Sequence, residues 1–130
     1  MNFAVMVSGA PYSTQACDSA LHFARAVLRC GHSLQPVFFY HDGAWLASEL
    51  NCPPQDDRHL VREWQNFAAE CGVELAVCTA SAQRRGILDH AEAARHGKPR
   101  GNLAGGFRVA GLGQLAGAMA AADRFVHFGP

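Results

Sequence analysis

The feature that most limits this chain is an alternation, in which short apolar runs of strand length are separated by longer stretches whose apolar residues recur at helical spacing. Phe3 to Val7 is a compact apolar run, and Ser8, Gly9, Ala10, Pro11 and Tyr12 after it spell a turn. Ser13 or Thr14 then offers a helix cap, Ala16, Ala20, Phe23, Ala24, Val27 and Leu28 line one helical face, and Gly31 supplies a left-handed stop. Leu34 to Tyr40, rich in β-branched and aromatic residues, is a second strand turned by His41, Asp42 and Gly43. Ala44 to Asp57, with its paired Pro53 and Pro54, reads as a short helical turn and a connecting loop. A further stripe of Leu60, Val61, Trp64, Phe67, Ala68 and Cys71 closes at Gly72, and this pattern counts Cys71 among the buried positions. A third strand follows at Val73 to Val77, with Cys78 at its carboxyl end. Ala80 to Gly106 is polar and Gly-rich, biased positive by Arg84, Arg85, Arg95, Lys98 and Arg100, and reads as a surface excursion with one or two short helices. Leu112, Leu115, Ala116, Met119 and Ala120 predict a last helix, and Phe125 to Phe128 a last strand.

Strands that alternate with helices must run mostly parallel, because parallel neighbours need a crossover between them. The expected fold is therefore an α/β, flavodoxin-like three-layer sandwich. Residues 1–130 are read as one domain, large enough to bury a core without disulfides or metal. In such sheets ligands and reactive groups collect beyond the carboxyl ends of the strands. Ser8 to Thr14, His41 to Trp45 and Cys78 to Gly86 are the loops placed there.

Charge narrows the partners. Lys plus Arg and Asp plus Glu number 11 each, so no net basic field is available to hold a nucleic-acid backbone directly. No apolar stretch approaches the roughly 18 residues of a membrane span, and Met1 to Val7 reads as strand rather than as a secretory leader. The five cysteines, Cys17, Cys30, Cys52, Cys71 and Cys78, are odd in number and irregular in spacing. No metal-ligand spacing such as CxxC is present, and a reducing cytoplasm is the expected compartment.

Position decides which sulfur is packing and which is reagent. Cys17 and Cys30, near the ends of the first helix, read as small hydrophobes, and Cys52 as an incidental loop thiol. Cys78 leaves the sheet where sites form, just before Thr79, Ala80 and Ser81 open a helix. Helix amides and the nearby Arg84 and Arg85 would each lower a thiol pKa from its ordinary value of about 8.5. A buried strand-end cysteine with two solvated arginines nearby is the competing reading. The Gly9 loop lacks both G-x-x-x-x-G-K-[ST] and G-x-G-x-x-G, so it is first a turn and a cap rather than a nucleotide site. His41 and Asp42 fit a base with its orienter, and fit a strand-end turn equally. Gly105, Gly106, Gly111 and Gly113 are read as serving turns and close packing, with a backbone anion cradle as the alternative.

Several segments together resemble the TusD branch of the DsrE/DsrF-like sulfur-relay family. They are VMVSGAPYSTQACDSALHFARAVL, PVFFYHDG, LVREWQ, AVCTASAQRRGI and GFRVAGLGQLAGAMAAADRFVHF, in that order over essentially the whole chain. The resemblance implies a DsrE-like fold and a sulfurtransferase that carries sulfur as a persulfide on the cysteine after the third strand, which here is Cys78. It implies work beside TusB-like and TusC-like subunits in a heterohexamer, a TusA-like donor, a TusE-like acceptor, and thiolation of a tRNA wobble uridine downstream. Such a transfer requires neither cofactor nor metal, and Arg84 and Arg85 would support anionic sulfur or an acidic partner. The alternatives are a DsrE-like role in sulfur oxidation, a scaffold subunit without its own chemistry, and a flavin- or nucleotide-binding module of the same topology.

Overall fold

The computed structural model describes residues 1–130. In chain order the elements are β1 (Asn2–Val7), α1 (Ala16–Arg29), β2 (Ser33–Leu34), β3 (Val37–Phe39), a 3-10 helix (His41–Ala47), α2 (Leu60–Cys71), β4 (Leu75–Cys78), α3 (Thr79–Arg84), α4 (His90–Arg95), β5 (Phe107–Ala110), α5 (Leu112–Ala121) and β6 (Arg124–Phe128). The expected second strand is split, because Pro36 has no N–H to give to a ladder. Its two pieces still pair with β1, Ser33 beside Asn2 and Phe38 beside Met6. Every strand pairing is parallel, and the order across the sheet is β6, β1, β2 with β3, β4, β5.

That order decides which face each helix covers. The connections from β1 through β5 all step one way, whereas α5 carries the chain back to β6 at the opposite edge. Right-handed crossovers then set α5 on the other face from α1 and α2. The strand residues sort accordingly: Val5, Val7, Val37, Phe39, Leu75 and Val77 join the core under α1 and α2, while Phe38, Ala76, Cys78 and Ala110 form a small cluster on the α5 face. In the larger core Trp64 is fully buried, meets Phe39 edge-on at 5.2 Å, and donates its Nε1–H to the Cys17 carbonyl at 3.1 Å.

Local chemistry explains the helix ends and three departures from expectation. Gly72, at φ +67°, ends α2 in the left-handed conformation that its sequence position called for. Gln15, not Ser13 or Thr14, holds the cap position of α1, although Thr14 Oγ1 accepts the Ala16 N–H at 3.2 Å. Cys30 and Cys71 are exposed rather than packed, because each sits at the end of its helix, where the chain turns over the open surface before re-entering the sheet. The segment from Ala80 to Gly106 does more than run over the surface. Ser81, Ala82, Ile87, Ala93 and Ala104 are buried, and Asn102 pins its turns by accepting the Leu88 N–H and donating to the Gly86 carbonyl, each at 2.9 Å.

Candidate functional site

An open parallel sheet offers a crevice where neighbouring strands send their chains to opposite faces. Here those strands are β4 and β5. β4 runs into α3, whose Ala82 belongs to the core under α1 and α2, and β5 runs into α5 on the other side. Cys78, the last residue of β4, lies beside Ala110, the last residue of β5. Thr79 Oγ1 donates to the Ala110 carbonyl at 3.3 Å and ties the two strand ends together.

The Cys78 side chain turns to the α5 face, in the cluster with Phe38, Ala76 and Ala110. Half-buried Tyr40 and Leu115 pack against that cluster, and Cys78 itself is 3% exposed. It holds the cap position of α3 without making a side-chain cap bond, so its sulfur is not committed to the helix.

On the β3 side the rim is built by close backbone approach. Gly43 packs against the Val7 carbonyl so tightly that a Cβ there would overlap it, and Tyr40 N–H donates to the same carbonyl at 2.8 Å. His41 adopts φ +48°, its N–H donates to Ser81 Oγ at 3.0 Å, and its ring lies edge-on to Tyr40 with centroids 4.1 Å apart. Left-handed backbone at a residue other than glycine is costly and persists where neighbours fix it. Arg85 supplies a second tie, donating from Nη2 and Nε to Asp42 Oδ1 at 2.9 and 3.2 Å and from Nη1 to the Ser81 carbonyl at 3.0 Å. Arg85 is thus occupied in joining α3 to the 3-10 helix, Arg84 is exposed on the last turn of α3, and the Asp42 carboxylate is held by Arg85 rather than by the His41 ring.

The remaining thiols divide by environment. Cys17 is completely buried, its Sγ–H points at the Gly9 carbonyl 3.6 Å away, and burial, helped by the adjacent Asp18 charge, pushes its pKa up to about 12. Such a thiol stays protonated and inert at neutral pH. Cys30, Cys52 and Cys71 are exposed.

Two polar clusters at the same end of the sheet escaped sequence reasoning. Ser8 Oγ and His127 Nε2 are 2.6 Å apart, joining the ends of β1 and β6. Tyr12, at φ +69°, donates its hydroxyl to the Arg58 carbonyl at 2.8 Å and accepts the Leu60 N–H at 3.1 Å. Arg58 in turn bridges Asp18 and Glu63, each at 2.7 Å, and its hydrogen bonds hold the Glu63 carboxyl below the usual carboxylate range. Apart from Arg58 and Glu63, these partners lie far apart in the chain, and only the tertiary fold brings them together.

An all-parallel α/β sandwich with a thiol at its topological switch point is the class that fold and site define together. A model of the DsrE/DsrF-like family matches residues 1–128, and the chain belongs to that family. The sulfurtransferase TusD of Salmonella newport is 49% identical over 98% of this chain and 100% of its own length. The DsrE protein of Allochromatium vinosum, whose name assigns sulfurtransferase activity only as a proposal, is 50% identical over 99% of each chain. Among solved structures the ychN protein of E. coli superposes with a TM-score of 0.75 at 20% identity, covering 98% of this chain and 100% of its own, so it shares the fold. The flavodoxin-like architecture expected from the alternation is the one observed.

Proposed function

We propose that this chain is a sulfurtransferase that carries sulfur as a persulfide on Cys78 and passes it along a relay between proteins. The observation that carries the reading is the position of Cys78 at the β4/β5 switch point in a chain about half identical, end to end, to sulfurtransferases. The chemistry asks little of the protein. The Cys78 thiolate attacks the outer sulfur of a donor persulfide, a new S–S bond forms, and the old one breaks with its electron pair leaving on the donor thiolate. The product Cys78–S–SH then yields its outer sulfur to an acceptor thiolate by the same step, and Cys78 is restored as thiolate. No external oxidant or reductant enters.

The sequence resemblance to TusD is the basis for proposing a cytoplasmic relay with a TusA-like donor, a TusE-like acceptor, and TusB-like and TusC-like subunits in a heterohexamer, ending in 2-thiolation of a tRNA wobble uridine; relatives named sulfurtransferase TusD support the sulfurtransferase part of that reading. In this reading residues 1–130 act as one sulfurtransferase domain, Arg85 braces the rim through Asp42, and Arg84 is free to meet an acidic partner. The similarity to a DsrE protein supports a second reading, in which the same thiol serves sulfur oxidation. Intact-mass measurement after incubation with a persulfide donor tests the shared chemistry. The wild-type chain should gain one sulfur mass and Cys78→Ser should gain none, whereas full loading of Cys78→Ser would move the carrier to another cysteine. Copurification with neighbouring small subunits, followed by transfer assays to each candidate acceptor, separates the two pathways.

A further inference from the structure

Cys78 is 3% exposed, yet its loaded sulfur has to meet another protein and to carry charge when the persulfide ionises. We propose that Tyr40 is a catalytic residue of the relay, its hydroxyl donating a hydrogen bond to the outer sulfur of the Cys78 persulfide. The proposal rests on the reading of Cys78 as the carrier.

Strand register puts the two side chains next to each other. β3 and β4 pair in parallel with Phe38 beside Ala76 and Phe39 beside Val77, which sets Tyr40 next in line with Cys78. Tyr40 keeps extended backbone, at φ −136° and ψ 155°, so the alternation of β3 runs through it and its side chain leaves the sheet on the same face as Phe38. That is the face of the Cys78 cluster, and Tyr40 packs against it. Of the two side chains that close the cluster, Tyr40 and Leu115, only the tyrosine carries a polar group.

The other polar groups around the cluster are engaged elsewhere or exposed. Arg108, beside Ala76 on β5, is bound to Glu74 at 2.7 Å and to Gln114 at 2.6 Å. Arg85 is held by Asp42 and the Ser81 carbonyl, and Thr79 by the Ala110 carbonyl. Arg84 is exposed, the His41 ring lies against that of Tyr40, and α5 contains no titratable residue. The Tyr12 hydroxyl is bonded twice, whereas the Tyr40 hydroxyl has no hydrogen-bond partner within the chain and is not sealed from solvent. A free donor therefore stands beside the carrier sulfur.

Reach selects the outer sulfur over the inner one. A tyrosine holds its oxygen farther from the sheet than a cysteine holds its sulfur, and a second sulfur extends the shorter arm by about 2.0 Å. Loading thus raises the terminal sulfur from the buried level of Cys78 to the half-buried level of Tyr40, where a partner protein meets it. A hydrogen bond to an ionised sulfur is charge-assisted, roughly twice as strong as a neutral one. During transfer the acceptor thiolate attacks the outer sulfur and the S–S bond breaks toward Cys78. The hydroxyl keeps its proton throughout and offsets negative charge on the sulfur under attack.

Ionisation of the loaded persulfide on the complete chain, followed against pH through the near-ultraviolet absorbance of its anion, tests the bond. Intact mass comes first: loading absent from the wild type, or retained by Cys78→Ser, refutes the carrier reading whatever Tyr40 does. Tyr40→Phe keeps the ring and deletes the hydroxyl. Its persulfide pKa should lie about one unit above that of the wild type, a tenfold change in the ionisation equilibrium, because loss of a donor to the anion disfavours the charged form. Packing alone would leave that pKa where it is, and an unchanged value overturns the proposal. A rise in Arg84→Ala with none in Tyr40→Phe overturns it too and gives the role to the arginine. If Tyr40→Phe does not fold, carbon NMR of the wild-type chain labelled at tyrosine Cζ decides instead, since the chain has only two tyrosines. Loading should move the Tyr40 signal and leave that of Tyr12 in place, and an unmoved Tyr40 signal overturns the proposal.

Discussion

The two faces of this sheet are built from alternate residues of the same strands and behave as different materials. Under α1 and α2 lies a deep core in which Trp64, Phe39 and Phe67 meet edge to face, with ring centroids 5.2 and 5.8 Å apart. Under α5 lies a cluster of four buried residues, Phe38 with the small Ala76, Cys78 and Ala110, closed by a leucine and a tyrosine that are themselves half-buried. Each face holds a buried cysteine. Cys17 lies within helix and aromatic layers and is held protonated by desolvation, whereas Cys78 lies in the small cluster closed by Tyr40 from the end of β3 and Leu115 from α5. Their static exposures are nearly alike, at 0% and 3%, so exposure alone does not separate the inert thiol from the candidate reagent. What separates them is the depth of packing around them, a core of 22 buried residues for Cys17 and a cluster of four for Cys78.

The sharpest way to break this contrast is to truncate one anchor on each face. Trp64→Ala should cost about 3–5 kcal/mol in urea unfolding, as large aromatic truncations in closed cores do. Leu115→Ala should cost only about 1 kcal/mol, because its site is half-open and can relax. Equal losses would mean that the α5 face is as firmly built as the other.

A smaller effect is expected at the thiol of the deep core. Cys17→Ser places a hydroxyl in apolar packing and should destabilise by about 1–3 kcal/mol, with persulfide loading of the folded fraction unchanged. Lost loading in a fully folded Cys17→Ser chain would put chemistry on the wrong face. At the rim, Arg85→Ala should cost about 1 kcal/mol in thermal unfolding, since the Arg85 side chain is 17% exposed and serves both Asp42 and the Ser81 carbonyl.

The smallest effect concerns the exposed clasp of Arg58 with Asp18 and Glu63. Because Arg58 lowers the folded-state pKa of Glu63, the pair contributes stability above the unfolded value of about 4.3 and loses it as pH falls through the lower folded value. Arg58→Ala should therefore lower stability by about 0.5 kcal/mol near pH 7, with the difference from wild type shrinking below about pH 4. A difference that grows on acidification would reverse the assignment.

Much of the architecture was legible because period and punctuation agree along the chain. The strand at Phe3 to Val7, the stripe ending at Gly72, the last helix and the last strand all stand where their residues placed them. Pro36 carried the signal for a split strand, and the β-rich residues around it masked that signal. The burial of Ala93 and Ala104 was not legible, since alanine in a polar, Gly-rich stretch reads as loop until Asn102 ties the turns against the core. Cys71 continued an apolar stripe in sequence, yet the helix carried it past the covered face at its last residue. At the candidate site the rim position of Cys78 was readable from the strand end. The cover over it and the engagement of Arg85 with Asp42 were not.

Taken alone, the sequence determined that this chain forms parallel strands joined by helices, with a cysteine at the carboxyl end of one of them. These are local matters, settled by periodicity, glycine stops and the rule that parallel neighbours need a crossover. Only the tertiary structure decided that β6 returns to the far side of β1, that α5 must therefore cross the opposite face, and that Leu115 comes to rest over the Cys78 cluster. Strand order follows from which distant segments bury each other, and no window along the chain contains that choice.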